Sequence, residues 1–191
     1  MTPTQPIRCG ITPVLHGGFP NDDRAGLLRR IATVADQGGF DVLWVEDHSR
    51  LPAEEIHAAE GEPDRDESLE TWTTLAYLAA VTERVTLGTE VTPLTLRHPS
   101  HLAKSVATVA TLSGGRVIFG AGTGWHKAEY LTHGIPFEKR TERFAKSCEA
   151  IEIMRRLWTE PAVDFAGRFY TLSDARLAPK PGYIPVWWGG F

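Results

Sequence analysis

A glycine-rich segment that follows an apolar, strand-like run is the first candidate site. Gly120, Gly122 and Gly124 alternate directly after residues 117–119 and precede Trp125. Three alternating glycines indicate a sharp turn of the backbone or its close approach to a flat or anionic group. The spacing differs from the dinucleotide-binding pattern G-x-G-x-x-G. Because parallel α/β proteins bind ligands at the carboxyl ends of their strands, this segment is a candidate ligand site.

Asp47 and His48 form a second candidate, at the end of the apolar run 42–45. An imidazole titrates near neutral pH and can donate a proton or a hydrogen bond during catalysis. A single histidine at a strand end is also often structural, and the residues alone leave both interpretations open. His126 and Glu129 start the next predicted helix and are interpreted as capping or solvated residues. The sequence has no H-x-x-x-H or C-x-x-C spacing, so it indicates no metal site.

The composition is that of an ordinary globular enzyme and argues against several other functions. The 191 residues carry a net charge of −4, and 42% of them are hydrophobic. There is no basic stripe of the kind that binds nucleic acid, and no apolar run approaches the roughly 20 residues of a membrane-spanning helix. The first residues lack the pattern of a signal peptide. Cys9 and Cys148 lie far apart in apolar contexts and are predicted to be reduced core residues, so we expect a cytoplasmic protein.

A predicted alternation of strands and helices positions these residues. The first helix begins after Asp22 or Asp23 and stops at Gly38. A later helix covers residues 138–158 and is predicted to turn five side chains inward, namely Phe144, Cys148, Ile151, Met154 and Trp158. Strands are predicted at residues 7–15, 41–45, 85–91, 117–119 and 184–188, with a hairpin at 163–172. Strands separated by helices of these lengths are typical of parallel βαβ units.

Two features of this order have alternative interpretations. The acidic segment 52–67 is interpreted as a solvated loop, with an active-site lid as the alternative. The five predicted strands fit an open sheet covered by helices on both faces. The open sheet fits the length better than a closed (β/α)₈ barrel, which needs eight strands and typically about 250 residues, but the residues alone leave the two folds close to even.

Five segments together resemble the bacterial luciferase-like monooxygenase family, and most of all its branch that uses the deazaflavin coenzyme F420. They are Asp47-His48, GTEVTPLTLRHP at 88–99, FGAGTGW at 119–125 with the following Glu129-Tyr130, GIPFEKRTERF at 134–144, and PKPGYIPVWWGG at 179–190. The resemblance runs from about residue 7 to residue 191. It implies the α/β, (β/α)₈ TIM-barrel fold, with residues 1–191 forming the N-terminal portion of one barrel domain and the sixth to eighth strands missing.

The resemblance also implies roles beside a flavin-like ring. A cis peptide bond between Glu90 and Val91 is expected to form a bulge behind the ring. His48 is expected to form the catalytic hydrogen bond to a ring nitrogen. Asp47 is expected either to orient His48 or to contact the polar edge of the ring.

Further positions follow from the same resemblance. Trp125 stands where some F420-dependent dehydrogenases carry an acidic proton donor, which argues against a sugar-phosphate dehydrogenase of that type. Trp125 is expected to line the substrate pocket or, as the alternative, to lie in the core, and His16 is also assigned to the pocket. The residues expected to contact the coenzyme at the pocket floor and around its phosphate are Gly122, Thr123, Gly124, Gly189 and Gly190.

These expectations lead to one functional hypothesis with two alternatives. The hypothesis is an oxidoreductase that transfers hydride between coenzyme F420 and a small organic substrate, and that assembles as a homodimer. The first alternative is an FMN-dependent monooxygenase that uses O₂ and a separate reductase. The second is a barrel fragment that is inactive or associates with itself.

Overall fold

The fold is an alternation of strands and helices, seen in a computed structural model that describes residues 8–13, 23–49 and 68–189. The strands are β1 (Gly10–Ile11), β2 (Val42–Val45), β3 (Thr86–Thr89), β4 (Thr92–Pro93), β5 (Val117–Gly122), β6 (Val163–Ala166), β7 (Thr171–Ala175) and β8 (Val186–Trp188). The helices are α1 (Arg24–Gln37), α2 (Thr71–Val81), α3 (Pro99–Leu112), α4 (Lys127–Thr132) and α5 (Arg140–Thr159).

Six strands form one parallel sheet in which neighbours in sequence lie side by side. The order is β1-β2-β3-β5, and β4 and β8 also pair with β5. Since β3 and β4 both pair with β5 in parallel, they are two pieces of one strand that is interrupted at Glu90 and Val91. The sheet therefore has five barrel-type strands, each followed or preceded by a helix, as a (β/α)₈ barrel requires. The predicted fold class is confirmed.

Local signals set several helix ends. Asp23 caps α1, because its side chain accepts a hydrogen bond from the Gly26 amide at 2.9 Å. Pro99 occupies the first position of α3, where its missing N–H costs nothing, and His98 is the N-cap. The hairpin predicted at 163–172 is the antiparallel pair of β6 and β7.

The core lies between the sheet and the helices. Strands contribute fully buried Leu43, Leu87 and Phe119, and α3 and α5 contribute Leu102 and Ile153. These side chains belong to one contiguous cluster, so the strands cannot shift in register without exposing them to water. This packing fixes the carboxyl ends of the strands relative to one another.

The predicted inward face of α5 is wrong in its first half. Phe144 is exposed and its ring lies edge-on to Trp188 at 5.8 Å, outside the core. Cys148 and Cys9 are exposed as well, so neither cysteine is a core residue. The second half is right, because Met154 and Trp158 are buried and the Trp158 indole donates a hydrogen bond to the Ala103 carbonyl of α3 at 3.0 Å.

For three sequence-based expectations, the structure gives information only within the described residues. The acidic segment 52–67 lies outside them. Among residues 8–13, 23–49 and 68–189, no helix is both long and apolar enough to cross a membrane. Within the same ranges, no group of three or more His, Cys, Asp or Glu side chains is placed to hold a metal ion.

Candidate functional site

A cleft of about 520 Å³ opens at the carboxyl ends of β2, β3, β5 and β8. Eight of the predicted site residues line it, namely His48, Glu90, Val91, Gly122, Thr123, Gly124, Trp125 and Gly189. The cleft is also lined by four residues that the sequence pattern did not single out, namely Glu46, Pro93, Arg140 and Arg143. His16 and Gly190 lie outside the described residues.

The bulge in the cleft wall is the non-proline cis peptide bond between Glu90 and Val91, as predicted. It directs the Val91 side chain between two glycines. A Cβ atom at Gly122 would lie 2.5 Å from Val91 Cγ2, and one at Gly189 would lie 2.7 Å from Val91 Cγ1. Glycine is therefore required at both positions by the chain's own valine. Glu90 is held in place because its Oε2 accepts a hydrogen bond from Thr12 Oγ1 at 2.9 Å.

His48 is held by a residue from a distant part of the chain. Its Nδ1 lies 3.2 Å from Oε2 of Glu129 in the first turn of α4. The other carboxylate oxygen of Glu129 accepts a hydrogen bond from the Ser49 amide. The side chain of Glu129 is 1% exposed and that of His48 is 14% exposed. The interpretation of Glu129 as a capping or solvated residue is therefore wrong, because it is buried and paired with His48. His126 does occupy the N-cap position of α4, but its side chain is buried and forms no capping hydrogen bond.

The environment of Glu129 keeps its carboxyl group ionised. Burial alone would raise its pKa, but the hydrogen bonds from His48 and from the Ser49 amide outweigh burial, and the pKa is lowered. Glu129 is thus a carboxylate at neutral pH. Little in the sequence indicates this, because α4 has only six residues and its periodicity does not define a buried face.

Asp47 lies beside His48 in sequence but has a different partner. Both of its carboxylate oxygens accept hydrogen bonds from the Arg97 guanidinium, each at 2.8 Å. Arg97 also donates to Glu70 Oε1 at 2.9 Å. Burial lowers the pKa of Arg97, but the charges of Asp47 and Glu70 raise it by more, so the guanidinium stays charged. Asp47 therefore anchors Arg97, and the carboxylate that pairs with the His48 ring is that of Glu129, so the expectation that Asp47 orients His48 is wrong.

Trp125 lies at the rim of the cleft. Its side chain is 60% exposed, and its ring stands edge-on to the ring of His48 with 5.9 Å between centroids. Of the two alternatives left open by the sequence, the structure favours the pocket wall over the core. His98, by contrast, is engaged as the cap of α3, since its Nδ1 accepts a hydrogen bond from the Ser100 amide.

The cleft floor is supported from below by a buried pair of hydroxyl groups. Thr95 Oγ1 donates to the Thr123 carbonyl at 3.1 Å and lies 2.7 Å from the hydroxyl of Tyr130. Gly124 has a φ of +76°, and a Cβ atom there would lie 1.9 Å from the Tyr130 hydroxyl oxygen. The tyrosine thus fixes the turn that forms the floor, and only glycine fits above it.

Replacing Tyr130 with phenylalanine should make stability less sensitive to alkaline pH. Burial raises the pKa of Tyr130 from 10.0 to about 12. A folded-state pKa above the unfolded value means that the neutral hydroxyl stabilises the fold below pH 10, and that this contribution is lost as pH rises towards 12. The wild type should therefore lose up to roughly 2–3 kcal/mol relative to Tyr130→Phe over that interval.

Urea denaturation at pH 9, 10 and 11 measures this difference. Tyr183→Phe is the matched control, because it removes a tyrosine hydroxyl from a side chain that is 88% exposed. Its unfolding free energy should follow the wild type at each pH. Parallel curves for the wild type and Tyr130→Phe would show that the Tyr130 hydroxyl is not buried in the folded state.

Known proteins of similar sequence cover most of this chain. An F420-dependent glucose-6-phosphate dehydrogenase of Kineococcus radiotolerans is 37% identical over 187 residues, which cover 96% of this chain and 50% of that protein. A protein of the same name from Intrasporangium calvum is 38% identical over 160 residues, covering 80% of this chain and 44% of the relative. The chain thus spans about half the length of the curated relatives that it matches.

A solved structure has the same fold. It is an F420-dependent secondary alcohol dehydrogenase in complex with an F420-acetone adduct, with a TM-score of 0.78 and 26% identity. The match covers 96% of this chain and 52% of that structure. Residues 11–191 also match the sequence model of the luciferase-like monooxygenases. The chain therefore belongs to the luciferase-like monooxygenase family.

Proposed function

We propose that this chain is part of an oxidoreductase that transfers hydride between coenzyme F420 and a small organic substrate. The observation that carries the proposal is the cleft in which His48, the Glu90–Val91 bulge and the glycine floor meet at the carboxyl ends of parallel strands. In barrels of this type, the carboxyl ends of the strands form the active site. The relatives above that are named as F420-dependent dehydrogenases support F420 as the coenzyme. A cytoplasmic location and a homodimer are part of the proposal and rest on the sequence.

The volume of the cleft supports a cofactor of deazaflavin size. Its volume of about 520 Å³ lies within the range of roughly 300–1,000 Å³ found for sites of small ligands. Val91 packs beside Gly122 and offers an apolar surface to the cleft, and Gly122 and Gly124 add no side chains of their own to the floor. The polar group of His48 stands at the edge of this apolar region. The charged residues Glu46, Glu90, Arg140 and Arg143 also line the cleft, so polar groups that can orient a cofactor face the apolar surface of Val91.

Each part of the cleft has a task in the proposed reaction. The coenzyme, when bound, supplies the carbon centre that accepts or donates hydride. His48 holds or moves a proton at the imidazole nitrogen that Glu129 does not engage. Glu90 and Val91 support the ring, and Gly189 lies where the resemblance places the phosphate-binding loop, with Gly190 as a further predicted contact. Asp47 does not line the cleft, and its role is to anchor Arg97.

Trp125 favours an uncharged substrate over a sugar phosphate. The indole has no proton that it can give up near neutral pH, and its N–H group only donates hydrogen bonds. With 60% of its side chain exposed at the cleft rim, Trp125 presents an apolar wall to an incoming substrate. We therefore propose a small neutral alcohol or carbonyl compound, although the curated relatives are named for glucose 6-phosphate.

A fluorescence titration of this chain with F420, and in parallel with FMN, tests the proposal. We expect saturable F420 binding with a Kd in the micromolar range and at least tenfold weaker binding of FMN. Gly122→Ala should weaken F420 binding, since the added Cβ would meet Val91. Gly115→Ala is the control for backbone strain, because alanine is strained at φ +89° but lies in a turn outside the cleft, so F420 binding should stay as in the wild type.

Two results would overturn the proposal. Tighter binding of FMN than of F420 would assign the chain to the flavin-dependent branch, which uses O₂ and a reductase. Binding of neither coenzyme by a folded chain would leave the family fold in place without this activity, as expected for an inactive or self-associating fragment.

A further inference from the structure

We propose that Glu129 is a positioning residue that holds His48 in the tautomer with hydrogen on Nδ1, so that Nε2 is the nitrogen available for catalysis. The tautomer follows from the structure alone. The consequence for turnover rests on the proposed function, because it assumes that His48 takes part in hydride transfer between F420 and a substrate.

The contact joins two segments that lie 81 residues apart in sequence. His48 follows β2, whereas Glu129 is in α4, directly after the glycine floor. The side chain of Glu129 is 1% exposed, so water does not compete for its oxygens. The burial of this carboxylate gives the contact more weight than an exposed ion pair would have.

The two oxygens of Glu129 have different partners, and this arrangement prevents the carboxylate from rotating. Oε1 accepts from the Ser49 amide, and Oε2 faces Nδ1 of His48. The Ser49 amide can only donate, so Oε1 is fixed as an acceptor. The backbone of His48 is also held, because its carbonyl accepts a hydrogen bond from Ser68 Oγ at 2.9 Å.

The ionisation of Glu129 decides the tautomer. A carboxylate has no hydrogen to donate, so a hydrogen bond between Oε2 and Nδ1 requires that Nδ1 carries the hydrogen. The lowered pKa of Glu129 means that it stays ionised at neutral pH. The neutral imidazole then has its lone pair on Nε2, where it can accept a proton, and the protonated imidazole can donate one from the same atom.

Asp47 cannot hold the His48 ring in this tautomer, although it is the residue next to His48. Both of its oxygens accept hydrogen bonds from Arg97. In the described part of the chain, Glu129 is therefore the carboxylate that contacts the His48 ring.

Glu129→Gln is the informative variant because the Ser49 amide determines how the new side chain must lie. The amide oxygen of glutamine would accept from Ser49, as Oε1 of Glu129 does. Its NH₂ group would then face His48 and donate to Nδ1. The variant should thus convert His48 to the tautomer with hydrogen on Nε2, with little change in side-chain volume.

Nitrogen-15 NMR of the imidazole rings in the whole chain, at a pH where histidines are neutral, reads the tautomer without any coenzyme. His48→Ala identifies the signals of His48. We expect the Nδ1-protonated form to dominate in the wild type and the Nε2-protonated form to dominate in Glu129→Gln. Glu142→Gln, which makes the same chemical change in a residue paired with Arg168, should leave the His48 signals as in the wild type.

Two NMR results would contradict the proposal. One is a wild type in which His48 carries its hydrogen on Nε2. This result contradicts the proposal even if the Glu129→Gln variant does not fold. The other is a folded Glu129→Gln variant with an unchanged tautomer.

Turnover with F420 tests the second half of the proposal. Glu129→Gln should lower kcat about tenfold and change KM for the coenzyme less than twofold, since the variant alters a proton position and not the cleft surface. A converted tautomer with unchanged kcat would remove the positioning role. Absence of F420 turnover in the wild type would count against the proposed function. It would not affect the conclusion about the tautomer, because the NMR measurement needs no coenzyme.

Discussion

On the proposed function, replacing His48 with alanine should lower turnover with F420 about 100-fold, at the low end of the range for removal of a general acid or base. His48 lines the cleft, and its ring is held by Glu129 through Nδ1. Alanine removes the group that holds or moves the proton but leaves the bulge at Val91 and the glycine floor in place. The Kd for F420 should therefore change much less than kcat. The measurement is the rate at which the visible absorbance of F420 changes at saturating substrate.

His101→Ala is the matched control for this variant. His101 is exposed on α3 and does not line the cleft. Its removal should leave both kcat and KM within about twofold of the wild type. If His48→Ala retains wild-type turnover, His48 has no part in the mechanism. If instead F420 binding is lost, His48 contributes to binding more than to chemistry.

The fold could be predicted from the sequence because its signals are local. Apolar runs such as 42–45 and helix boundaries such as Asp23 and Gly38 depend on neighbouring residues, and the structure confirms them. Local patterns left the choice between an open sheet and a barrel undecided, and the family resemblance settled it. The same resemblance predicted the cis bond between Glu90 and Val91, which no periodic pattern in the sequence indicates.

The partners within the site could not be predicted, because they are set by contacts between distant segments. Glu129 meets His48 across 81 residues, and Arg97 meets Asp47 across 50. A polar side chain at a strand end has several candidate partners, and only the three-dimensional arrangement selects one. The prediction for the first half of α5 was wrong for a related reason. Phe144 of this helix packs on Trp188 of β8 and not on the core.

Arg97→Ala should destabilise the fold by about 3 kcal/mol, as expected when one partner of a buried ion pair is removed. The side chain of Asp47 is 1% exposed and that of Arg97 is 23% exposed. Without the guanidinium, Asp47 would keep a buried charge that has lost both of its charge-assisted hydrogen bonds. For a chain of this size, each kcal/mol corresponds to roughly 2–4 °C in Tm. Thermal and urea denaturation at pH 7 measure the loss.

Arg156→Ala provides a matched control, because Arg156 forms the same two-pronged contact with Glu160 at 2.9 and 3.0 Å, but at the surface. Arg156→Ala should lower the free energy of unfolding far less than Arg97→Ala does, since exposed ion pairs contribute little to stability. The double variant Asp47→Asn/Arg97→Ala should recover part of the stability, because it removes the uncompensated charge. Equal losses at Arg97 and Arg156 would contradict a buried pair. Because Arg97 follows β4 and joins Asp47 after β2 to the α2 cap Glu70, the buried pair would fix the loop that carries His48 relative to the rest of the barrel.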